Sequence, residues 1–398
     1  MTDTCRACGS SNIDMFLDLG DMPLAGGFLA DESAIASEKT YALPVHVCND
    51  CALVQIVKPV DPEVLFQDYS FSSSTVPPLV KHFEEYADWL QRRFAPQQVI
   101  EFGCNDGILL QPLAQAGVGV AGIDISENIC AIAKEKGLDV TSGYFGPETA
   151  QAMRDRLGAV DIVTGSNAFA HNAAPEALLE GADILLGPDG HLCLEVMYAG
   201  DLLEQIQWDT LYHEHLTFYS LGTISELLAR FGFHVNHAER LPMHGGALRV
   251  SAGRNAAAAK SPEYEAVAAC EVENKLNDPA TWHGFGSHVQ RKIDIVKNTL
   301  TDLSKNARIW GYGAAGKATL WVNACGLTFL EAMVDASPLR AGKLMPGTHT
   351  PIVFPDELKK NPPDYIFITA WNYADVIRNN EPWFEGTWVT PLPDMRFF

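Results

Sequence analysis

Residues Gln98–Asp124 read QVIEFGCNDGILLQPLAQAGVGVAGID. An apolar run of strand type ends at Glu101-Phe102-Gly103, turns through Cys104-Asn105-Asp106-Gly107 and opens a helical stretch, ILLQPLAQAG. A second apolar run closes on Asp124. Strand, glycine turn, helix and strand in this order begin a parallel βαβ unit, since parallel neighbours need a crossover and that crossover is right-handed. Gly103 lets the backbone approach a ligand closely, and Gly107 lets the chain enter the helix. Glu101 and Asp124 fall at strand carboxyl ends, where open α/β sheets collect their ligands. A pyrophosphate turn has no place for carboxylates. Glu101 and Asp106 suit instead the ammonium and sulfonium charges of S-adenosylmethionine, while Asp124, about 20 residues on, is placed for two ribose hydroxyls. Asn105 in the turn and Asn167 at the end of a later strand complete the candidate cofactor set. A generic Rossmann turn that has lost its ligand is the alternative.

Outward from this turn the same alternation continues. AVDIVTGSN (159–167) and GHLCLEV (190–196) read as two further buried strands, with ENICAIAKEKG and PEALLEGADILLG as helices between them. Upstream, Leu79, Val80, Phe83, Tyr86, Leu90 and Phe94 recur at helical spacing behind a polar connector, FSSSTVPP (71–78). Around 253–300 the chain becomes Ala-rich and charged, as expected of a linking helix pair. A second βαβ pattern follows: ARIWGYG, a helix over 317–325, then EAMVDAS, PIVFP and DYIFITA. The expected fold class is α/β: a small N-terminal zinc-binding domain (1–72), a central Rossmann-like domain (73–252) and a C-terminal Rossmann-like domain (253–398).

Composition bounds the partners. The 398 residues suffice for two or three domains, and 47% hydrophobic content excludes disorder. No run approaches the ~20 apolar residues of a membrane helix, and MTDTCRACGS lacks the basic and apolar regions of a signal peptide. A soluble, cytoplasmic protein is expected, with a monomer as its default state. A net charge of −22 argues against nucleic acid and anionic membranes as partners.

Nine cysteines without a secretion signal argue against a disulfide framework. Cys5-Arg-Ala-Cys8 and Cys48-Asn-Asp-Cys51 form CxxC…CxxC with 39 residues between the pairs. Two such knuckles complete the tetrahedron that zinc prefers, and four protein ligands leave no position for a reactive water, so the site is structural. The alternative, two redox pairs, fits poorly because a redox CxxC opens a helix after a strand. Cys104, Cys130, Cys193, Cys270 and Cys325 read as packing residues.

Three further features carry chemistry. LYHEHLTFYS places Tyr212, His213, Glu214, His215 and Tyr219 together. This is not the H-E-x-x-H of zinc peptidases. On an extended segment His213 and His215 share one side and Tyr212 and Glu214 the other. General-base chemistry by His215, oriented by a neighbouring carboxylate after a local bend and supported by a Tyr hydroxyl, is the leading reading; a second metal and plain packing histidines are the alternatives. His171 follows the strand AVDIVTGSN at its carboxyl end. IWGYGAAGKATL holds Gly311, Gly313 and Gly316 with Lys317 next, and Asp335 ends the following strand. By pattern this is a dinucleotide site, which keeps open an NAD-dependent nucleotide-sugar oxidoreductase, although no Tyr-x-x-x-Lys pair accompanies it.

The order CxxC…CxxC, then EFGCNDG with YHEH, then GxGxxGK resembles the family of zinc-containing, S-adenosylmethionine-dependent sugar C-methyltransferases that act on nucleotide-linked 4-keto-deoxyhexoses. The resemblance spans essentially the whole chain. It implies structural zinc on Cys5, Cys8, Cys48 and Cys51, S-adenosylmethionine in the central domain, and a C-terminal domain that helps hold the nucleotide-sugar through Gly313 and Lys317. It places the base on His215, with Tyr212, Glu214 and His171 as companions. HGGALRV (244–250) resembles the family's substrate segment, giving His244 and Gly245, and MPGT (345–348) its C-terminal signature. Where the family carries tyrosines before the first helix, this chain keeps Tyr69 but has Phe66 and Phe71. The implied reaction is methylation of carbon 3 of an NDP-4-keto-6-deoxy sugar through an enolate, with carbon 5 as the alternative position.

Overall fold

The computed structural model describes residues 4–66 and 72–398, the His244 side chain excepted; Tyr69 and Phe71 lie outside the described residues. The chain forms two compact units that interleave along the sequence. The first takes the residues up to Ile13, Val47–Gly200 and Leu216–Pro279; the second takes Asp14–His46, Asp201–His215 and Ala280–Phe398.

The first unit is built on seven strands: β1 (Gln98–Phe102), β2 (Gly119–Asp124), β3 (Val140–Ser142), β4 (Val160–Ser166), β5 (Leu186–Met197), β6 (His234–Leu241) and β7 (Ala247–Gly253). Their order across the sheet is β6-β7-β5-β4-β1-β2-β3. The pairs β1/β2, β1/β4, β2/β3 and β4/β5 are parallel, while β7 runs antiparallel to both β5 and β6. Successive strands are added on one side of β1 (β2, β3) and then on the other (β4, β5), so the carboxyl end of β1 is the switch point where a ligand crevice opens.

Helix α1 (Pro77–Phe94) covers one face. Its buried residues Leu79, Phe83, Tyr86 and Leu90 recur every three or four positions, and they meet Val99, Ile162 and Cys193 of the sheet. Each such side chain contributes about 1.5–3 kcal/mol by leaving water. Proline opens the helix, and Ala95 ends it in the left-handed region (φ 45°). Elsewhere in this unit the short strand Val54–Ile56, just beyond the second cysteine pair, runs antiparallel to Thr217–Phe218.

The second unit carries a six-stranded sheet in the order Ile352–Val353, Met333–Val334, Ile309–Tyr312, Tyr365–Ile368, Thr387–Thr390, Arg396–Phe397. All neighbours are parallel except the last pair. The glycine-rich stretch opens the helix Gly316–Ala324. The helix Pro279–Ser304 buries Trp282, Phe285, Val289, Ile293, Val296 and Leu300 on one stripe. Phe16 packs at a tilt against two of these rings, with centroids 6.1 and 6.4 Å away, and Gly286 allows the approach, since a Cβ there would lie 2.0 Å from the Phe16 carbonyl oxygen. The expected linking pair therefore divides: the helix Pro262–Glu273 belongs to the first unit and this one to the second. No helix among the described residues is long and apolar enough to cross a membrane.

Candidate functional site

The four expected cysteines come together, their sulfurs all within 4.8 Å of one another. The two knuckles match bond for bond. Gly9 and Ala52 donate to the carbonyls of Cys5 and Cys48 at 2.9 and 2.8 Å, and Cys5 and Cys48 donate to the carbonyls of Ser10 and Leu53 at 2.8 and 3.0 Å. Both knuckles close through a left-handed residue, Gly9 at φ 77° and Ala52 at φ 60°. For Ala52 that conformation costs about 1–2 kcal/mol, which the knuckle must offset. Cys5 lies 3.5 Å from Cys51, and Cys8 lies 3.5 Å from Cys48. A tetrahedral zinc with 2.3 Å bonds sets its sulfurs ~3.8 Å apart, so the donor set and its spacing fit the ion. The hydrogen bond from the Cys51 thiol draws the Cys5 thiol well below its ordinary range, towards the thiolate that zinc needs. Arg6, inside the first knuckle, braces it by donating to the carbonyls of Ile56 and Val57 at 2.7 and 3.0 Å.

At the β1 switch point, Gly103 has φ 64°, and a Cβ on it would sit 2.3 Å from that of Ala168. Asn105 (φ 49°) and Asn167 (φ 59°) are also left-handed. These positions turn backbone amides towards the acids: Asn105 and Ser126 both donate to the Asp124 carboxylate at 2.9 Å. Burial still raises the Asp124 pKa. Glu101, 2% exposed, has an oxygen, Oε2, with no hydrogen-bond partner. Burial, then the charges of Asp124, Glu195 and Asp106, push its pKa well up. A buried acid among acids, with an unpartnered oxygen, fits a cationic ligand, so the residues present suit S-adenosylmethionine.

Asp106 behaves differently. It is 0% exposed, and its Oδ2 accepts Ser72 Oγ at 2.6 Å and the Ser74 amide at 3.1 Å. Lys136 Nζ lies 3.5 Å from the same oxygen and donates to the Asp106 carbonyl and to Ser74 Oγ at 2.8 and 2.9 Å. Burial would raise Asp106, but these partners hold it below its ordinary value. The Ser73 amide adds a bond to Asn105 Oδ1 at 2.9 Å. Ser72–Ser74 thus form a strap across the glycine turn, anchored on Asp106, in place of the plain connector its sequence suggests. His171 ends a 3-10 turn beyond Asn167 and stacks on Phe66, with ring centroids 6.1 Å apart and planes 4° apart. Gly245 and Gly246 turn with φ of 95° and 136° ahead of β7.

A buried charge chain escaped the sequence reading. Glu195 on β5 accepts from Arg249 Nε at 2.7 Å and lies 2.9 Å from His82 Nε2 of α1. Arg249 stacks over Tyr86 at 4.0 Å and reaches Glu239 at 3.1 Å. Only the arginine in HGGALRV could have pointed to it.

In the second unit, the YHEH segment is a tight turn, which is the local bend that the general-base reading needs and not the extended run of strict alternation. The His215 amide donates to the Tyr212 carbonyl at 2.8 Å, so the rings of Tyr212 and His215 stack at 4.0 Å. His213 points elsewhere, buried against Tyr41, with Nε2 3.1 Å from the Tyr41 carbonyl oxygen. It is therefore not paired with His215 in a metal site, and among the described residues only the four cysteines form a cluster that could hold a metal. His215 Nδ1 donates to the Thr210 carbonyl at 2.7 Å, which makes Nε2 the basic nitrogen of the ring. This backbone oxygen orients the ring through Nδ1. Burial raises Glu214 to about 7. At the glycine turn, Gly313 (φ 97°) passes so close to Ala370 that a Cβ would lie 2.7 Å from that of Ala370. Tyr212 borders the same turn: its OH would be 3.8 Å from a Cβ on Gly316. Lys317 Nζ is buried without a hydrogen-bond partner, 5.4 Å above the Trp371 ring. Asp335, the acid a dinucleotide ribose would need, instead accepts the Ser337 amide at 2.8 Å and Arg340 at 3.0 Å.

Family models match residues 5–66 as a zinc binding domain, 80–238 as a methyltransferase domain and 242–393 as a C-methyltransferase C-terminal domain. The C-methyltransferase NovU of Streptomyces niveus is 32% identical over 99% of this chain and 96% of its own length. A ubiquinone biosynthesis O-methyltransferase of Bordetella avium is 32% identical over 26% of this chain and 45% of its own. Among solved structures, a magnesium protoporphyrin IX methyltransferase from Synechocystis PCC 6803 with bound SAH is 21% identical, covering 44% of this chain and 83% of that one, with a TM-score of 0.36. A relative similar from end to end, together with a four-cysteine cluster and an acidic glycine turn, settles the family. The chain belongs to the zinc-containing, S-adenosylmethionine-dependent C-methyltransferases.

Proposed function

We propose that the enzyme methylates carbon 3 of an NDP-4-keto-6-deoxy sugar through an enolate, with His215 as base. The observation that carries this reading is the 2.7 Å bond from His215 Nδ1 to the Thr210 carbonyl, because it presents the imidazole in the tautomer a general base requires. The C4 carbonyl acidifies the neighbouring C–H. His215 Nε2 takes that proton, and the C–H electron pair moves into the enolate, whose oxygen Tyr212 supports. S-adenosylmethionine, when bound, supplies the electrophilic methyl that the C3 carbanion takes. Glu101, Asn105, Asp124 and Asn167 bind and orient it, with Gly103 leaving room, and Asp106 holds the strap over its turn. Glu214 and His171 are companions of that base. Lys317 and the glycine turn at Gly313 hold the anionic nucleotide part, with Gly245, His244 and Tyr69 as further substrate contacts.

Mass spectrometry of a panel of NDP-4-keto sugars incubated with methyl-deuterated S-adenosylmethionine tests this. Deuterated methyl on carbon 3 is expected, and methyl on carbon 5 would overturn the position. Solvent deuterium next to the ketone without transfer would keep the enolate and reject the sugar. His215→Asn should lower turnover about 10²–10⁴-fold with cofactor affinity intact. Retained turnover would remove His215 from the role.

A further inference from the structure

Asp209 has no part in the chemistry above, yet it is 0% exposed and sits one residue before the carbonyl that holds His215. Its Oδ2 accepts two indole N–H groups, Trp321 at 2.9 Å and Trp371 at 2.8 Å. Trp321 lies on the helix Gly316–Ala324 that the glycine turn opens, and Trp371 lies just beyond the strand Tyr365–Ile368. Placing a carboxylate out of water is costly, and two neutral donors on one oxygen compensate it only in part; Asp209 Oδ1 has no partner. An apolar residue could fill the same space without that cost. What the carboxylate supplies is direction, because it pins the turn Trp208–Thr210 to two separate elements of the sheet-and-helix layer.

The turn is held from its other side as well. Trp208 packs edge-on to Trp321 at 4.5 Å, and the Thr210 amide and hydroxyl both donate to the Gln207 carbonyl at 2.9 and 2.7 Å. The next bond in the series is the one from His215 Nδ1 to the Thr210 carbonyl. We infer that Asp209 is a positioning residue: anchored by Trp321 and Trp371, it fixes the Thr210 carbonyl that holds His215 in its Nδ1–H tautomer. The inference rests on His215 being the base for its functional meaning, but the tautomer can be read without substrate.

The test uses the full-length, zinc-loaded protein with ¹⁵N-labelled histidine rings. The Nδ1–H signal that disappears in His215→Asn belongs to His215. Asp209→Asn and Trp371→Phe should each move His215 towards the other tautomer and slow solvent-deuterium exchange at the sugar carbon beside the ketone about tenfold. Because both act through one anchor, the double variant should lose little more than either single one, where independent losses would multiply to about a hundredfold. S-adenosylhomocysteine affinity should stay within about twofold, since the cofactor set lies in the first unit. An unchanged histidine spectrum, multiplicative losses, or a parallel fall in cofactor affinity would each overturn the inference. Exchange that persists in His215→Asn would instead overturn the base assignment while leaving the tautomer result standing. Trp371→Phe removes a single donor, so it supplies the measurement if Asp209→Asn folds poorly.

Discussion

Gly103→Ala is the substitution whose cost can be worked most directly from the structure. Two terms add. An L-residue at φ 64° pays about 1–2 kcal/mol for left-handed backbone. The new methyl would also lie 2.3 Å from the Ala168 Cβ and 3.7 Å from its Cα. Both groups are fixed to backbone, so no rotamer change relieves the contact and either the turn or the segment after Asn167 must shift. Overpacking of this kind costs about 1–3 kcal/mol. The sum, about 2–5 kcal/mol, should appear as lower stability, and the shift should weaken S-adenosylhomocysteine binding about tenfold or more, because the displaced backbone carries Asn105 and Asn167. Two controls separate the terms. Gly117→Ala, at φ 85° with nothing within 4 Å of the added carbon, should show the backbone term alone and leave binding unchanged. Ala168→Gly added to Gly103→Ala removes the second methyl, so it should recover the contact term and the binding but not the backbone strain. Calorimetric titration and thermal melts read both quantities. If Gly103→Ala binds S-adenosylhomocysteine as the natural protein does, or if Ala168→Gly fails to restore affinity, the close approach at this turn does not govern the cofactor site.

Three further outcomes follow from the same geometry. Cys48→Ser should leave the protein with well under one zinc by metal analysis and lower its melting temperature; a zinc-free variant of full stability would contradict a structural site. Lys136→Met removes the cation beside buried Asp106 and should cost about 1–3 kcal/mol, with Ser72 and Ser74 retaining part of the strap, and it should weaken cofactor binding together with stability. Glu214 keeps its proton in the folded state up to about pH 7 but releases it near 4.5 when unfolded, so its contribution to stability is present below 4.5 and lost as pH rises to 7. Glu214→Gln should therefore raise the melting temperature near pH 8, by no more than about 3 kcal/mol in stability, and leave it unchanged near pH 4; equal effects at both would refute the assignment.

What the sequence made legible was local. The strand–turn–helix at Glu101–Gly107, the two cysteine knuckles and the helix Gly316–Ala324 are each encoded in contiguous residues, and each forms where expected. The strap escaped because its bonds to Asp106 join residues over thirty positions apart, and three serines before two prolines carry only the signature of a polar connector. YHEH was legible in part. General-base chemistry needs a bend there, and the amide of His215 closes onto Tyr212; which rings that turn brings together is not written in the spacing. The partner of His215 is a backbone carbonyl, which every residue owns and no composition reveals. Asp209 reads as one acid among fifty until two tryptophans from distant segments are seen to converge on it.

Two glutamates of the first unit, alike in burial, are set apart by their neighbours. Glu101 and Glu195 are 2% and 1% exposed. Burial would raise both, yet Arg249 and His82 hold Glu195 below its ordinary pKa, whereas Asp124, Glu195 and Asp106 push Glu101 further up. An acid kept without a counter-ion costs stability, and the charge it lacks is the one S-adenosylmethionine brings. The substrate form carries a sulfonium that the product S-adenosylhomocysteine has lost, so the two ligands differ by one positive charge. Deprotonation of Glu101 should therefore tighten the substrate form more than the product form. Titrations of both ligands across pH should show their affinity ratio rising with pH as Glu101 loses its proton, and Glu101→Gln should flatten that rise. A ratio that keeps its pH dependence in Glu101→Gln would assign the effect to another group and leave Glu101 a merely tolerated buried acid.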